Sequence, residues 1–169
     1  MLLYLALYWG VFVKYYLAYG SSLNLKQMNL QCRDARCVGR TFLDGYKLAF
    51  RGLANGFSYL TLEECVGSRV PVGIYEVSKN DEIALDKGEG YKEFYYKDNF
   101  EIDIFGIKQK AIIYLLSENC AYNVPSFEYL KTCVDGYKDF GFNIDPIIEA
   151  YNYSLDKYHS RTRKKTYIR

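Results

Sequence analysis

Tyr16-Leu17-Ala18-Tyr19-Gly20-Ser21-Ser22-Leu23-Asn24 changes character halfway along. From Val11 to Tyr19 the residues, Lys14 apart, are apolar and aromatic, the pattern of a buried strand. At Gly20 the run breaks into small polar residues. Asn24 and, three positions on, Gln27 make a capping-box pattern, and Leu25, Met28 and Leu30 follow as a short apolar face. The stretch predicts a strand, a tight turn and a helix start. Glycine lets backbone approach a ligand, and small side chains leave N–H groups uncovered. Free N–H groups at a helix start receive anions such as a carboxylate. An ordinary strand-to-helix corner has the same composition, so both readings stand on the residues alone.

The chain has 169 residues, enough for one domain with a core and short for two. Half of them are apolar, and 19 are tyrosine, so the core is expected to be aromatic. The net charge is only +2, and Arg161, Arg163, Lys164, Lys165 and Arg169 are crowded into the last nine positions. The body is therefore mildly acidic and the basic character belongs to a tail, expected as a solvated, disordered end. No basic face with interleaved aromatics appears, which argues against nucleic acid as a partner. Five cysteines, Cys32, Cys37, Cys65, Cys120 and Cys133, are scattered without a C-x-x-C pair, and His159 is the single histidine. That spacing fits neither a zinc site nor a Cys-His catalytic pair, and free thiols fit a reducing, cytoplasmic setting. Residues 1–13 are uncharged and apolar, too short a run to span a bilayer and without the charged start of a secretory signal. They are expected to be an N-terminal extension to a domain over 14–155, with 156–169 as the tail; a membrane role for them is the weaker alternative.

Along the body, residues 41–43 and 46–50 flank Asp44-Gly45 and predict a hairpin across a two-residue turn. A short strand over 57–62, a polar loop over 63–69 and a strand over 70–77 follow. Ser78 with Asp81 is a second capping box, opening a short helix through Ile83, Ala84 and Leu85 that ends at Gly88-Glu89-Gly90. Residues 91–104 read as extended, Phe105-Gly106 as a turn, and 110–116 as a buried strand. Ser126 caps a helix carrying Phe127, Leu130, Val134 and Tyr137, and Asp145-Pro146 starts a last helix through Leu155. Hairpin-linked strands with short helices inserted or placed at the end predict an α+β domain on one strongly curved or barrel-like sheet.

Glu89 is the candidate acid or base. Flanked by two glycines beside Tyr91, Phe94, Tyr95 and Tyr96, its carboxyl would lose solvation and its pKa would rise toward a range useful near neutral pH. A polar turn residue is the plainer reading of the same pattern.

Taken in order, the motifs resemble those of γ-glutamylcyclotransferase-like proteins. Tyr16 to Asn24 resembles their YGSN signature, and Val38-Gly39 and the segment from Leu43 to Phe50 follow it. The strand from Val72 to Val77, the Leu85-Asp86…Glu89-Gly90 segment, residues 111–114, Pro125-Ser126 with Tyr129, and Gly136 complete a collinear series over about residues 14–150. The glutathione-degrading branch carries a tryptophan soon after the first motif, and none stands there; the γ-glutamylcyclotransferase and γ-glutamylamine cyclotransferase side fits better.

The resemblance implies a cofactor-free, metal-free enzyme that cyclises an L-γ-glutamyl amide to 5-oxoproline and releases an amino acid or amine. It implies that the backbone around Tyr19, Gly20, Ser21, Ser22 and Leu23 cradles the glutamyl carboxylate, and that Glu89 is base and proton shuttle. Tyr96, Tyr114 and Tyr129 would approach the pocket. It also implies a small-molecule γ-glutamyl partner; a monomer or homodimer is expected. Ser22 departs from the signature's asparagine, and 91–95 lack the glycine usual after the Glu-Gly pair. Both departures support the alternative of an inactive binding or interaction protein on the same fold.

Overall fold

The computed structural model describes residues 14–52, 57–89 and 94–166. The expectations for 1–13 and for the start of the extended run at 91 lie outside them. Six strands form one sheet: β1 (Lys14–Ala18), β2 (Arg36–Gly52), β3 (Ser58–Val77), β4 (Tyr95–Ile104), β5 (Ile107–Leu116) and β6 (Ala121–Tyr122). Four α-helices accompany them: α1 (Leu25–Gln31), α2 (Lys79–Glu89), α3 (Phe127–Asp139) and α4 (Asp145–Thr166). The strand order is β4-β5-β1-β3-β2-β6. β1 runs parallel to β5 and antiparallel to β3, so the sheet is mixed.

The hairpin expected at Asp44-Gly45 does not form. β2 runs straight through it, paired to β3 from Arg36↔Glu76 to Gly52↔Ser58, with a register shift between Asp44 and Tyr46. Gly45, at φ 83°, occupies a bulge, and residues 65–68 of β3 are the extra chain opposite it, including Gly67 at φ 84°. The loop expected over 63–69 is likewise part of β3. A bulge bends the strand that carries it and sharpens its twist. The consequence is visible in β3 itself. Gly73 pairs with Ala18, yet Leu60 lies close enough for its carbonyl to accept a 3.4 Å hydrogen bond from the Tyr19 hydroxyl. Straight chain between those two β3 residues would span about 43 Å. The hairpin of β2 and β3 therefore curls back over the end of β5, where the Leu116 N–H donates to Thr61 Oγ1 at 3.1 Å. The sheet becomes a half-barrel around an aromatic and aliphatic core containing Tyr16, Leu17, Phe50, Val72, Ile113 and Tyr137.

Local signals elsewhere hold. Asn24 Oδ1 caps α1 by accepting from Gln27 N–H at 2.9 Å. Ser78 and Asp81 make both bonds of a capping box, at 2.9 and 3.1 Å. Ser126 caps α3 through Tyr129 N–H. Phe105-Gly106 turns β4 into β5, with Ile104 opposite Ile107. α4 is longer than its apolar pattern and reaches Thr166, so the expected disordered tail is largely helical. The helix is anchored on the sheet by Ser154, whose buried hydroxyl accepts from Phe50 N–H at 2.8 Å, while residues 156–163 are exposed.

Candidate active site

Ser21–Leu23 form one 3-10 turn, closed by Leu23 N–H to Gly20 C=O and Asn24 N–H to Ser21 C=O, each 3.0 Å. Its first N–H groups, on Ser21 and Ser22, precede those bonds and are the ones such a turn offers to an outside acceptor. The turn is seated rigidly. A Cβ on Gly136 of α3 would lie 2.5 Å from Asn24 N and 2.7 Å from the Leu23 carbonyl carbon. Helix backbone therefore packs directly on turn backbone. The Tyr75 hydroxyl holds the other side by donating to Ser22 C=O at 3.3 Å.

The turn borders a recess of about 20 Å³, walled by Tyr16, Tyr19, Tyr95, Tyr114 and Tyr129 with Gly20, Ser21, Ser22 and Leu60. That is room for one water-sized polar group. Tyrosine hydroxyls lock the walls together. Tyr19 donates to Tyr114 C=O at 2.6 Å, and Tyr129 accepts from Leu60 N–H at 3.1 Å. The recess adjoins a cleft of about 760 Å³, with which it shares Ser21, Tyr95 and Tyr129. Ala84, Lys87 and Gly88 bring the last turns of α2 to the rim of that cleft.

Behind Tyr114 lies a chain of charges. Its hydroxyl donates to Asp86 Oδ1 at 2.5 Å, and Lys97 Nζ sits 2.7 Å from Asp86 and 2.7 Å from Glu82. Lys14 reaches Glu82 at 2.5 Å. Burial, reinforced by the Asp86 carboxylate, pushes the Tyr114 phenol well above its usual pKa, so it stays protonated. Burial alone would raise the Glu82 carboxyl, but hydrogen bonds from Lys14 and Lys97 outweigh it and hold that group below the usual carboxylate range. Lys97 is raised for the same reason, its carboxylate partners overcoming its loss of solvent.

The fold brings Tyr19, Gly20, Ser21, Ser22, Tyr114 and Tyr129 together at the recess. Leu23 is fully buried beneath the turn and does not line it. Tyr96 is not brought there. It shares a face of β4 with Asp98 and Phe100 and opens onto a separate groove, 44 % exposed. Its neighbour Tyr95, on the face shared with Lys97, is buried and takes the place at the recess. Strand geometry alternates faces, so a one-residue misassignment exchanges inside for outside. Glu89 is the last residue of α2 and not part of a Gly-Glu-Gly loop; the helix continues through Gly88. The sequence offered Tyr95 only as aromatic surface beside Glu89 and did not mark Tyr16 or Asp86 as site residues. The Leu85-Asp86 pair, part of the collinear motif series, was a usable signal for Asp86.

A curled mixed sheet with this recess at its mouth is a γ-glutamylcyclotransferase-like fold. The family model described as "Gamma-glutamyl cyclotransferase, AIG2-like" matches residues 16–131, and the chain belongs to that family. Among solved structures it is similar to a "Gamma-glutamyl cyclotransferase", with TM-score 0.69, 22% identity and 86% of each chain covered. An uncharacterized protein from Homo sapiens gives the same TM-score of 0.69, identity of 22% and coverage of 86% on both sides. YkqA from Bacillus subtilis gives TM-score 0.68 at 20% identity over 85% of this chain and 55% of its own. At such identities the likeness is one of fold. No curated protein matches the chain significantly. Among the described residues, no helix is long and apolar enough to cross a membrane.

Proposed function

We propose that the protein cyclises an L-γ-glutamyl amide to 5-oxoproline and releases the amine or amino acid. One observation carries this reading: the recess at Gly20-Ser21-Ser22 and the end of α2, where Glu89 stands, border a single cleft. The glutamyl α-carboxylate sits at the Ser21 and Ser22 N–H groups. Glu89 takes a proton from the α-ammonium, and the freed amine attacks the substrate's own γ-carbonyl carbon. A new C–N bond closes the ring, the ring nitrogen gives up its second proton, and the oxyanion collapses. The bond to the leaving nitrogen breaks as both protons pass by way of Glu89 to that nitrogen, which departs as an ammonium. Reactants and products balance without water or redox change. Holding the arm in its ring-closing pose is worth about 7–11 kcal/mol in favourable cases, and the proton shuttle about 100-fold or more. Tyr114, its proton committed to Asp86, presents its oxygen as an acceptor, which suits an ammonium group.

The test is release of 5-oxoproline from a panel of γ-glutamyl amino acids and γ-glutamyl amines. Wild-type protein is expected to turn over and Glu89→Gln to lose at least about 100-fold in kcat. Full activity in the variant overturns the role of Glu89. Wild-type protein that binds 5-oxoproline and turns nothing over is a binding protein on this fold, the reading that Ser22 in place of asparagine favours.

A further inference from the structure

Resting on the cyclotransferase reading, we propose that the outer cleft selects γ-glutamyl conjugates whose leaving group is a large apolar α-amino acid, with Lys87 receiving that amino acid's carboxylate. The recess of about 20 Å³ takes one small polar group, while the adjoining cleft of about 760 Å³ is far larger than the rest of a glutamyl arm. Sites of that size bury most of a drug-sized ligand. The surplus space belongs to whatever is attached at the γ-carbonyl.

The wall of that space is apolar. Phe57, Tyr59, Phe94, Leu116 and Cys120 line it, with Leu116 and Cys120 buried. Burial pushes the Cys120 thiol up in spite of Arg51, so it behaves as an uncharged wall and not as a nucleophile. Gln27 and Gln31 of α1 and Lys87 of α2 line the cleft as well. The Gln31 amide is occupied by Ala84 C=O at 3.3 Å. Among the described residues lining the cleft, Lys87 is the sole charged side chain. The apolar lining and the Lys87 ammonium group match the two ends of an apolar amino acid. A glycine leaving group leaves the wall empty, an amine without a carboxylate leaves Lys87 unmatched, and a lysine side chain sets like charges together.

The experiment compares kcat/KM for γ-glutamyl-phenylalanine, γ-glutamyl-leucine, γ-glutamylglycine, γ-glutamyl-lysine and γ-glutamyl-phenethylamine by 5-oxoproline release. Calorimetric binding of the phenylalanine and glycine conjugates to Glu89→Gln protein accompanies it. The phenylalanine and leucine conjugates are expected to exceed the glycine conjugate by about 100-fold, in line with what apolar pockets discriminate. The phenethylamine conjugate is expected about tenfold below the phenylalanine one, and Lys87→Met to close that gap; Phe94→Ser is expected to shrink the phenylalanine-to-glycine ratio. A gap that survives Lys87→Met overturns the carboxylate assignment. Equal kcat/KM for the phenylalanine and glycine conjugates overturns the selection and leaves the reaction standing. Preferential binding of the phenylalanine conjugate without any turnover does the reverse, and binding of neither overturns both.

Discussion

Gly45 and Gly106 have almost the same φ, 83° and 81°, and do opposite things to the chain. At Phe105-Gly106 the chain reverses, and β4 pairs with β5 from the residues directly flanking the turn. At Asp44-Gly45 it goes straight on, and β3 is the partner on both sides of the glycine. The residue before each glycine differs: Phe105 is left-handed as well, at φ 53°, and Asp44 is not, so a left-handed glycine by itself does not fix direction. Competing partners weigh on direction too. A hairpin closed at Gly45 would pair only residues 41–43 with 46–48, whereas β3 pairs along the whole of β2. The difference matters for function, because the bulge bends the β2–β3 hairpin over β5 and brings Leu60 to Tyr19 and Tyr129.

The largest loss is expected at the seal of the curl. Thr61→Val keeps shape but removes the acceptor of the buried Leu116 N–H. It is expected to cost about 1–3 kcal/mol in urea unfolding and to lower 5-oxoproline release. Unchanged stability would mean that the curl does not depend on this contact. Next come the two glycines themselves. Alanine at either left-handed position is expected to cost about 1–2 kcal/mol. Only Gly45→Ala should also reduce kcat/KM, since its bend shapes the recess while the β4–β5 tip is remote from it; equal losses of activity would erase the distinction. The smallest effect concerns how the β4–β5 hairpin is tied down. Its base is held to α2 by Lys97, which bridges Glu82 and Asp86. The Glu82 carboxyl is held low against its burial by Lys14 and Lys97, so its stabilising contribution is full above the unfolded carboxylate pKa. That contribution is lost as pH falls through the lower folded value. Urea midpoints of wild type and Glu82→Gln should therefore differ at neutral pH and converge on acidification. A gap that persists at pH 2 would assign the effect to packing.

Much of the fold was legible because it is written in short-range bonds. Asn24 with Gln27, Ser78 with Asp81, and Ser126 with Tyr129 each satisfy helix-end groups three residues away. Apolar runs marked β1 and β5. The turn from Gly20 to Leu23 was visible as a break in composition. The face of Tyr95 was not legible, because alternation groups residues into two sets without saying which set meets α2. Nor was the helical state of Glu89. Gly88 reads locally as a helix end, and α2 passes through it all the same.

Short-range signals mark where the chain stiffens, turns and starts its helices, and its collinear motifs placed it in its family. Packing of distant segments settled that Asp44-Gly45 bends a hairpin and that Tyr95, not Tyr96, faces the recess. It also decided which tyrosines meet. The physical reason is range. Caps and periodicities act over a few residues, while the recess is closed by bonds from Tyr19 to Leu60 and to Tyr114, across 41 and 95 positions. Bonds of that span exist only once the bulged strands have curled the sheet.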